Sequence, residues 1–406
     1  MRIAMYTDSF YPELGGIQDS VLATAHALGE RGHQVMIHAP RAAPGDFRIA
    51  GLPESEICLG ENVQVCRHFS IKAPSSTGQS RLLMPTGRRW RALRPFRPDI
   101  IHTHTFLGAG WEALRAAKRL RLPIVGTNHW AIGEFSAYMP LPAAFFARVS
   151  VRAVTGYYNR CSVVSAPSLS VIEEMQAFGL QRPGRVVSNP IDTTLFHPVE
   201  ATQRLRLKQR FGFSGATILY AGRLAVEKNI DILIRALPEI LTTIPDAMLA
   251  LAGHGSARAD LESLARESGV ADRVRFLGTL DKPALADAYR AADVFAIAST
   301  SETQSMVLLQ AMSCGLPAVG ARWRALPEYL DADCGRLAEP GNPAAFAAAL
   351  TELLGDPAKR ARLGENAARS ARRFAIPDVV SAWETLYSRT IKQYSSSIQD
   401  EIGVSN

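Results

Sequence analysis

The chain lacks a continuous apolar segment long enough to cross a bilayer. None of its hydrophobic runs approaches the roughly 20 residues that a membrane-spanning helix requires. Its first residues, Met1–Thr7, have the pattern of a short strand rather than that of a signal peptide. With 406 residues and 47% hydrophobic content, the chain is long enough to form two cores. We therefore expect a cytoplasmic protein of two domains.

Cysteine is scarce and shows no metal-binding spacing. The five cysteines stand at positions 58, 66, 161, 314 and 334, and no two of them form a Cys-x-x-Cys motif. An odd number without such spacing argues against a disulfide framework and against the common zinc motifs. We expect free thiols in a reducing compartment and no bound metal.

Acidic residues are missing from one segment, Asn62–Pro98, although it contains eight basic residues. Residues 1–198 carry 21 Lys and Arg against 14 Asp and Glu, so the whole net charge of +7 lies in this half. Aromatic side chains are interleaved, which favours a surface that faces anionic lipid. A solvated basic face and a nucleic-acid surface are the alternatives, the latter without a zinc-finger or RNP-type motif in support. The basic residues are Arg67, Lys72, Arg81, Arg88, Arg89, Arg91, Arg94 and Arg97, with Trp90, Leu93 and Phe96 among them.

Strand-like apolar runs alternate with amphipathic helical patterns along the whole chain, as in α/β folds with parallel sheets. Turn-forming residues at Ser188–Pro198 separate two such series. The pattern predicts two doubly wound parallel-sheet domains, residues 1–190 and 199–376. A last helix at 377–393 packs on one of them, and the tail 394–406 is expected to be flexible. Ligands bind at the carboxyl ends of such strands, so we expect a cleft where the two sets of strand ends face each other.

The first strand is followed by Gly15 and Gly16, which let the backbone approach a ligand closely or simply form a turn. The spacing is not that of a dinucleotide-binding motif, and the chain has no P-loop. Later strands of the first half end near His102, His104 and His129. With no third metal ligand apparent, we favour hydrogen-bonding roles for these histidines, and His129 is the best functional candidate.

The second half opens with a strand that delivers Gly222 and then two cations, Arg223 and Lys228. A forked guanidinium and a mobile ammonium suit a diphosphate, although surface ion pairing with Glu227 is the alternative. Another strand leads to Gly253 and Gly255, a further tight turn.

The segment Ser299–Val319 places an acid, Glu302, between a buried strand and an amphipathic helix. Backbone N–H groups and the positive end of the helix dipole gather at such a junction and suit phosphate. Taken alone, the segment favours an ordinary capped helix in which Ser301 is the N-cap and Glu302 lies in the first turn.

Taken together, these motifs resemble the retaining glycosyltransferases of family 4, which have the GT-B fold of two Rossmann-like domains. The resemblance runs in family order from Met1 to about Leu386. The matching residues are Gly15, Gly16, His129, Ser188–Asp192, Gly222, Arg223, Lys228, Gly253, Gly255, Phe276–Gly278, Glu302, Gln310, Gly315 and Pro317.

The resemblance implies roles for several of the matching residues. Arg223 and Lys228 would bind the diphosphate of a nucleotide-sugar, and Glu302 would hold the sugar hydroxyls. Gly16 would contact the phosphate, and His129 would contact sugar or phosphate. The last helix would complete the first domain. The other donor-binding positions would be Gly15, Gly222, Gly253, Gly255, Gly278, Thr303, Gln304, Ser305, Met306 and Gln310.

Two positions depart from the family pattern. Gln310 stands where a second Glu is usual, and Gln accepts a ribose hydroxyl without the charge-assisted bond of a carboxylate. Ser305 stands where Gly is common and narrows the expected sugar pocket.

The basic first domain is similar to that of members that glycosylate membrane lipids. A helix with Phe145, Phe146 and Arg148 adds to the expected acceptor surface of Arg88, Arg89, Trp90, Arg91 and Arg94. The expected function is transfer of a hexose, from a UDP-sugar by preference, to a membrane lipid with retention and without a metal. The alternatives are a polysaccharide or soluble acceptor, an epimerase or phosphorylase of the same fold, a degenerate nucleotide-sugar-binding protein and a nucleic-acid binder.

Overall fold

The computed structural model describes residues 1–13, 15–73, 78–130 and 143–402. The chain divides into two compact units. One comprises Met1–Pro190 and Ile376–Asn406, and the other comprises Ile191–Ala375.

The first unit is built on a seven-stranded parallel sheet, with a two-stranded antiparallel ribbon inserted between its third and fourth strands. Its strands are β1 (Arg2–Tyr6), β2 (Gln34–Pro40), β3 (Val63–His68), β4 (Ser70–Lys72), β5 (Arg81–Leu83), β6 (Ile100–Thr103), β7 (Ile124–Thr127), β8 (Val163–Ala166) and β9 (Gly184–Val186). Its helices are α1 (Gly16–Glu30), α2 (Pro44–Ala50), α3 (Leu93–Phe96), α4 (Gly108–Leu120), α5 (Ala143–Tyr158) and α6 (Leu169–Ala177).

The strand order in the sheet is β3-β2-β1-β6-β7-β8-β9. Strands are added on one side of β1 up to β3 and on its other side from β6 onwards. The central strands of the sheet are buried on both faces, and their sequences are mostly apolar instead of alternating between apolar and polar residues. Because all seven strands are parallel, the loops after β1, β2, β6 and β7 emerge at one edge of the sheet. In doubly wound folds, ligands bind at this edge of the sheet.

The second unit repeats the design with six parallel strands in the order β12-β11-β10-β13-β14-β15. Its strands are β10 (Thr217–Ala221), β11 (Met248–Ala252), β12 (Val274–Gly278), β13 (Val294–Ile297), β14 (Ala318–Ala321) and β15 (Gly335–Ala338). Its helices are α7 (Ala201–Phe211), α8 (Ile230–Thr243), α9 (Arg258–Glu267), α10 (Lys282–Ala291), α11 (Met306–Ser313), α12 (Leu326–Tyr329), α13 (Pro343–Gly355) and α14 (Pro357–Ala371).

The last helix, α15 (Ile376–Ile402), belongs to the first unit, where it packs on α1. The Glu384 carboxylate accepts a hydrogen bond from Arg31 Nη1 at 2.7 Å, and its other oxygen lies 2.8 Å from His33 Nε2. Val380, Trp383 and Tyr387 extend the apolar core beneath these polar contacts.

The helix continues past Gln393, where the sequence suggested a flexible tail. The serines there remain compatible with the helix because Ser395 and Ser396 donate to the carbonyls of Ile391 and Lys392.

The prediction of two doubly wound parallel sheets is confirmed, but several edge strands were not anticipated. β3 is largely half-exposed, and β15 is a four-residue strand that includes an arginine. Such strands lack the continuous apolar run that identifies the buried centre of a parallel sheet.

Within the described residues, no helix is both long and apolar enough to span a membrane.

Candidate functional site

Two tight turns at the carboxyl edge of the second sheet place backbone against backbone. A side chain on Gly253 would put its Cβ 1.8 Å from the Gly222 carbonyl oxygen, and one on Gly255 would reach 2.2 Å from the Leu224 oxygen. Gly253 N–H in turn donates to the Gly278 carbonyl at 2.8 Å. Glycine is therefore required here, and the turns after β10, β11 and β12 converge on one edge.

The loop after β13 differs from the expected capped helix. α11 begins at Met306, and its N-cap is Ser305, whose Oγ accepts from Leu308 N–H at 3.3 Å. The interpretation of Ser301 as the N-cap is therefore wrong, and Glu302 lies in the loop rather than in the first turn. Ser305 also explains the departure from glycine, because its hydroxyl is used to start the helix and is fully buried.

An ion pair joins the turn after β10 to this loop. Lys228 Nζ lies 2.7 Å from Glu302 Oε1 and 3.3 Å from Ser301 Oγ. Both charged side chains are largely enclosed, with 16% of Lys228 and 11% of Glu302 exposed. A hydrogen-bonded pair this well enclosed is fixed in position, in contrast to a solvent-exposed ion pair.

Electrostatics keep Glu302 ionised. Burial raises the pKa of this carboxyl, but the Lys228 ammonium and a hydrogen bond from Ser299 outweigh burial and leave the pKa below its usual value. Glu302 is therefore an acceptor of hydrogen bonds at neutral pH, and not a proton donor.

Arg223 stands beside the pair but remains accessible. Its Nη2 atom lies 3.1 Å from Glu227 Oε1, and 43% of its side chain is exposed. Tyr220 donates to the Arg223 carbonyl at 2.9 Å, which fixes the backbone after Gly222. An arginine side chain that is ion-paired on one side and exposed to solvent on the other can bind an anionic ligand.

Asn229 was not singled out in the sequence. It adopts a left-handed conformation (φ 49°), and its Nδ2 donates to the Ala298 carbonyl at 3.3 Å and to Thr300 Oγ1 at 3.2 Å. It ties the two loops together beside the ion pair. The signal was an Asn directly before an apolar helix, a position that tolerates such a backbone.

Gln310 lies in α11 and is buried. Tyr289 OH donates to its Oε1 at 3.4 Å, so the amide oxygen has a hydrogen-bond partner within the protein. Thr303, Gln304 and Met306 occupy the loop and first turn between Glu302 and Gln310.

The sequence Asp331–Asp333 resembles a metal-binding motif but serves as a turn. Asp331 Oδ1 accepts from the backbone N–H groups of Asp333 and Cys334 at 2.9 and 3.0 Å. Across the described ranges, no three His, Cys, Asp or Glu side chains form a group that would hold a metal ion.

In the first unit, Gly15 is the N-cap of α1 and Gly16 is its first residue, and both are exposed. Their backbone N–H groups lie at a helix N-terminus, where an anion is favoured.

Asp8, which sequence reasoning missed, lies in the loop after β1. It accepts Leu83 N–H at 2.8 Å, Thr105 Oγ1 at 3.1 Å and the N-terminal amide of α4 at Ala109. Burial raises its pKa to about 6 against the opposing effect of these bonds.

His129, at the end of β7, is buried, and its Nε2 lies 3.1 Å from His104 Nδ1. His102 Nδ1 lies 2.7 Å from Tyr387 OH, and His102 Nε2 lies 2.6 Å from Thr127 Oγ1.

Only some of the basic side chains in the segment Asn62–Pro98 are exposed. Arg88, Arg91 and Arg94 are exposed, and the Arg94 guanidinium lies 4.7 Å over the half-buried Trp90 ring. Arg89 is the exception, because its Nη1 atom is buried.

Burial lowers the pKa of Arg89, whereas nearby Glu112 opposes that shift. Arg89 is therefore only partly exposed, and its place in a lipid-facing surface stays a prediction.

Arg148 is exposed on α5. The side chains of Phe145 and Phe146 lie outside the described residues.

Two family models match the chain. Residues 14–195 match Glycosyltransferase Family 4, and residues 203–370 match Glycosyl transferases group 1. A GDP-mannose-dependent alpha-mannosyltransferase of Mycobacterium tuberculosis is 30% identical over 79% of this chain and 78% of the relative. An alpha-monoglucosyldiacylglycerol synthase of Streptococcus pneumoniae is 25% identical over 79% of this chain and 70% of the relative.

Among solved structures, HepE of Anabaena in complex with UDP-glucose superposes with a TM-score of 0.75. It is 21% identical and covers 96% of this chain and 100% of that one, so the likeness shows the fold. The two sheets, their strand-end loops and these matches define a glycosyltransferase of the GT-B fold. The chain belongs to the group 1 and family 4 glycosyltransferases, which confirms the family inferred from the motifs.

Proposed function

We propose that this enzyme transfers a hexose from a nucleotide-sugar, preferably a UDP-sugar, to a membrane lipid such as diacylglycerol or a glycolipid. The observation that carries the donor half is the Lys228–Glu302 ion pair at 2.7 Å, with Arg223 beside it on the carboxyl edge of the second sheet. A cation next to an acceptor carboxylate suits a ligand with a phosphate at one end and hydroxyls at the other.

Each donor residue would have one task. Arg223 and Lys228 would stabilise the charge that develops on the departing diphosphate, in the place of a metal ion. Glu302, held ionised by Lys228, would accept hydrogen bonds from the sugar hydroxyls. The N-terminus of α1 at Gly15 and Gly16 would contribute backbone N–H groups to the phosphate.

Retention would follow from attack on the face that the diphosphate leaves. The leaving phosphate oxygen would take the proton of the acceptor hydroxyl while the new glycosidic bond forms. Glu302 is unsuited to act as a covalent nucleophile in this scheme, because its charge is already shared with Lys228. We therefore propose a single retaining step without a glycosyl-enzyme intermediate.

The lipid acceptor is supported by charge and by similarity. Arg88, Arg91 and Arg94 give the first unit an exposed basic strip with Trp90 beneath it. Exposed arginines beside an aromatic side chain suit an anionic membrane surface, and the pneumococcal relative is named as a diacylglycerol glycolipid synthase. We infer peripheral binding at the inner face of the membrane.

The test is a donor and acceptor screen read by mass spectrometry. Purified protein is incubated with UDP-glucose, UDP-galactose or GDP-mannose, and with vesicles that contain diacylglycerol, glycolipid or neither. The expected result is a hexosylated lipid with the anomeric configuration of the donor. A product formed only with soluble sugars would favour the soluble-acceptor alternative, and donor binding without any product would favour a degenerate binding protein.

A further inference from the structure

The two-stranded ribbon of β4 and β5 has an apolar face that is open to solvent. Ile71 pairs with Leu82, and Met84 N–H donates to the Phe69 carbonyl at 3.3 Å, which extends the antiparallel ladder by one pair. Because side chains alternate along a strand and paired residues share a face, one face carries Phe69, Ile71, Leu82 and Met84. The exposed fraction is 69% for Phe69, 45% for Ile71 and 39% for Met84.

The opposite face of the ribbon is fixed to the first unit. The Leu83 side chain is fully buried, and its N–H donates to Asp8 Oδ1 at 2.8 Å. Ser70 Oγ donates to the Arg41 carbonyl at 2.7 Å. The ribbon is therefore held with its apolar face directed away from the core.

This arrangement is the reverse of what a solvated ribbon requires. Antiparallel strands that face water on one side carry polar side chains there, and polar or charged residues protect exposed sheet edges. A single exposed apolar side chain is ordinary, whereas several adjacent ones mark an interaction surface. We therefore expect the apolar face of Phe69, Ile71, Leu82 and Met84 to be covered by a partner.

Charge indicates the chemistry of that partner. The ribbon lies within Asn62–Pro98, the segment with eight basic residues and no acid. Arg88 follows Met84 by four residues, so their Cα atoms are at most roughly 14 Å apart. The exposed basic strip of Arg88, Arg91 and Arg94 thus begins close to the end of the apolar face. An anionic bilayer offers phosphates to the arginines and acyl chains to the apolar side chains.

We propose that the apolar face of the ribbon inserts into the acyl boundary of an anionic membrane, while the basic strip binds the lipid headgroups. The proposal rests on the proposed function, because it takes the membrane as the partner of the first unit. The two attachments differ physically. Salt screens the attraction between arginines and headgroups, but it does not weaken the burial of apolar side chains. Stable peripheral binding commonly needs two such signals.

The first test is flotation of the purified full chain with vesicles of phosphatidylcholine and phosphatidylglycerol in equal amounts. We expect Phe69→Thr combined with Ile71→Thr to weaken binding on the order of 30-fold at about 0.5 M salt, where apolar insertion dominates. Threonine suits a strand, so the ribbon should stay folded. The matched control, Leu205→Gln, removes an apolar side chain that is 61% exposed on α7 of the second unit, and it should bind like the wild type.

A second test reports the depth of insertion. Phe69→Trp is mixed with the same vesicles, prepared with or without bromine atoms on the acyl chains, and the fluorescence of the wild type is subtracted. We expect the bromine atoms to quench the emission of the added tryptophan. The control Leu205→Trp should show no quenching.

Equal binding of the double variant and the wild type at high salt would overturn the proposal, as would an unquenched Phe69→Trp on bound vesicles. So would a wild-type dimer, detected by light scattering, that the double variant converts to a monomer, because the face would then cover a second copy of the chain.

Vesicle binding is measured without a nucleotide-sugar, which separates this proposal from the proposed function. A wild type that inserts the ribbon but transfers no hexose would overturn only the proposed function. Normal transfer by a wild type whose ribbon stays out of the bilayer would overturn only the insertion.

Discussion

Lys228 Nζ lies 2.7 Å from Glu302 Oε1, and this contact joins the loops that follow β10 and β13. Asn229 connects the same two loops through its hydrogen bonds to Ala298 and Thr300. These contacts keep the Glu302 carboxylate ionised and fix its position. A ligand that meets it need not reorganise the site, which is how preorganised electrostatic sites gain their effect.

Replacing Glu302 should abolish transfer. We expect Glu302→Ala to show no measurable rate, and Glu302→Gln to lose about 10²–10³-fold in kcat, because an amide is a weaker acceptor for sugar hydroxyls and leaves Lys228 without its counter-charge. Glu262→Gln is the matched control, since it breaks a surface ion pair with Arg258 in the same unit. Near-normal rates for Glu302→Ala would refute the assignment.

Gln310→Glu should tighten donor binding. The buried amide oxygen already accepts from Tyr289, and a carboxylate would add a charge-assisted bond to a ribose hydroxyl. We expect donor KM to fall severalfold, measured at saturating acceptor. An unchanged or higher KM would mean that this enzyme holds its nucleotide differently from its relatives.

Removing divalent ions should not reduce activity. Arg223 and Lys228 are expected to provide the positive charge that the departing diphosphate needs, so transfer in the presence of EDTA should equal that in untreated enzyme. Complete loss with EDTA and recovery with a divalent ion would contradict this prediction.

Vesicle binding should depend on the exposed basic strip. Changing Arg88, Arg91 and Arg94 together to Gln should weaken flotation with anionic vesicles on the order of 100-fold at low salt, from about 1 kcal/mol per cation. The control changes three exposed arginines of the second unit, Arg206, Arg362 and Arg372. If both triple variants float equally, the strip is only a solvated surface.

The first unit should lose stability in mild acid. Burial lowers the pKa of His38 to about 3 and that of His68 to about 4, while the unfolded side chains titrate near 6.5. Stability is therefore full above about pH 6.5 and falls as the pH drops towards 4, because only the unfolded state takes up protons there. His129, His102 and His104 act in the same direction.

Asp8 opposes this trend. Its pKa is raised to about 6, so its own contribution is lost as the pH rises from about 4 to 6. The effect of the five histidines on stability is larger than that of the one carboxyl. The urea concentration at the unfolding midpoint should therefore decrease when the pH is lowered from 7 to 4.5. His38→Phe should reduce the slope. A midpoint that is constant or rises over this range would contradict the account.

The sequence predicted the buried strands and the residues at their ends, because both follow from local pattern. It could not locate the start of α11, since Ser301 and Ser305 are both good N-caps and only packing decides between them. Nor could it show that Arg89 turns inward while Arg88 and Arg91 stay exposed. The period of a short basic segment does not specify which side chain is partly buried near Glu112.

The contacts that His102, His104 and His129 make could not be predicted from the sequence either. His102 and His104 are separated by one residue, but His129 and Tyr387 join them only through the parallel sheet and the return of α15. Contacts between residues this far apart depend on topology and not on local propensity.

The most direct test of the central claim follows sugar transfer from UDP-glucose to diacylglycerol vesicles, with wild type and Glu302→Ala side by side. We predict that the wild type releases UDP in step with formation of a hexosyl lipid that keeps the α configuration of the donor, and that the variant forms neither. A wild type that binds nucleotide-sugars yet makes no hexosylated product with any lipid or soluble acceptor would contradict the account.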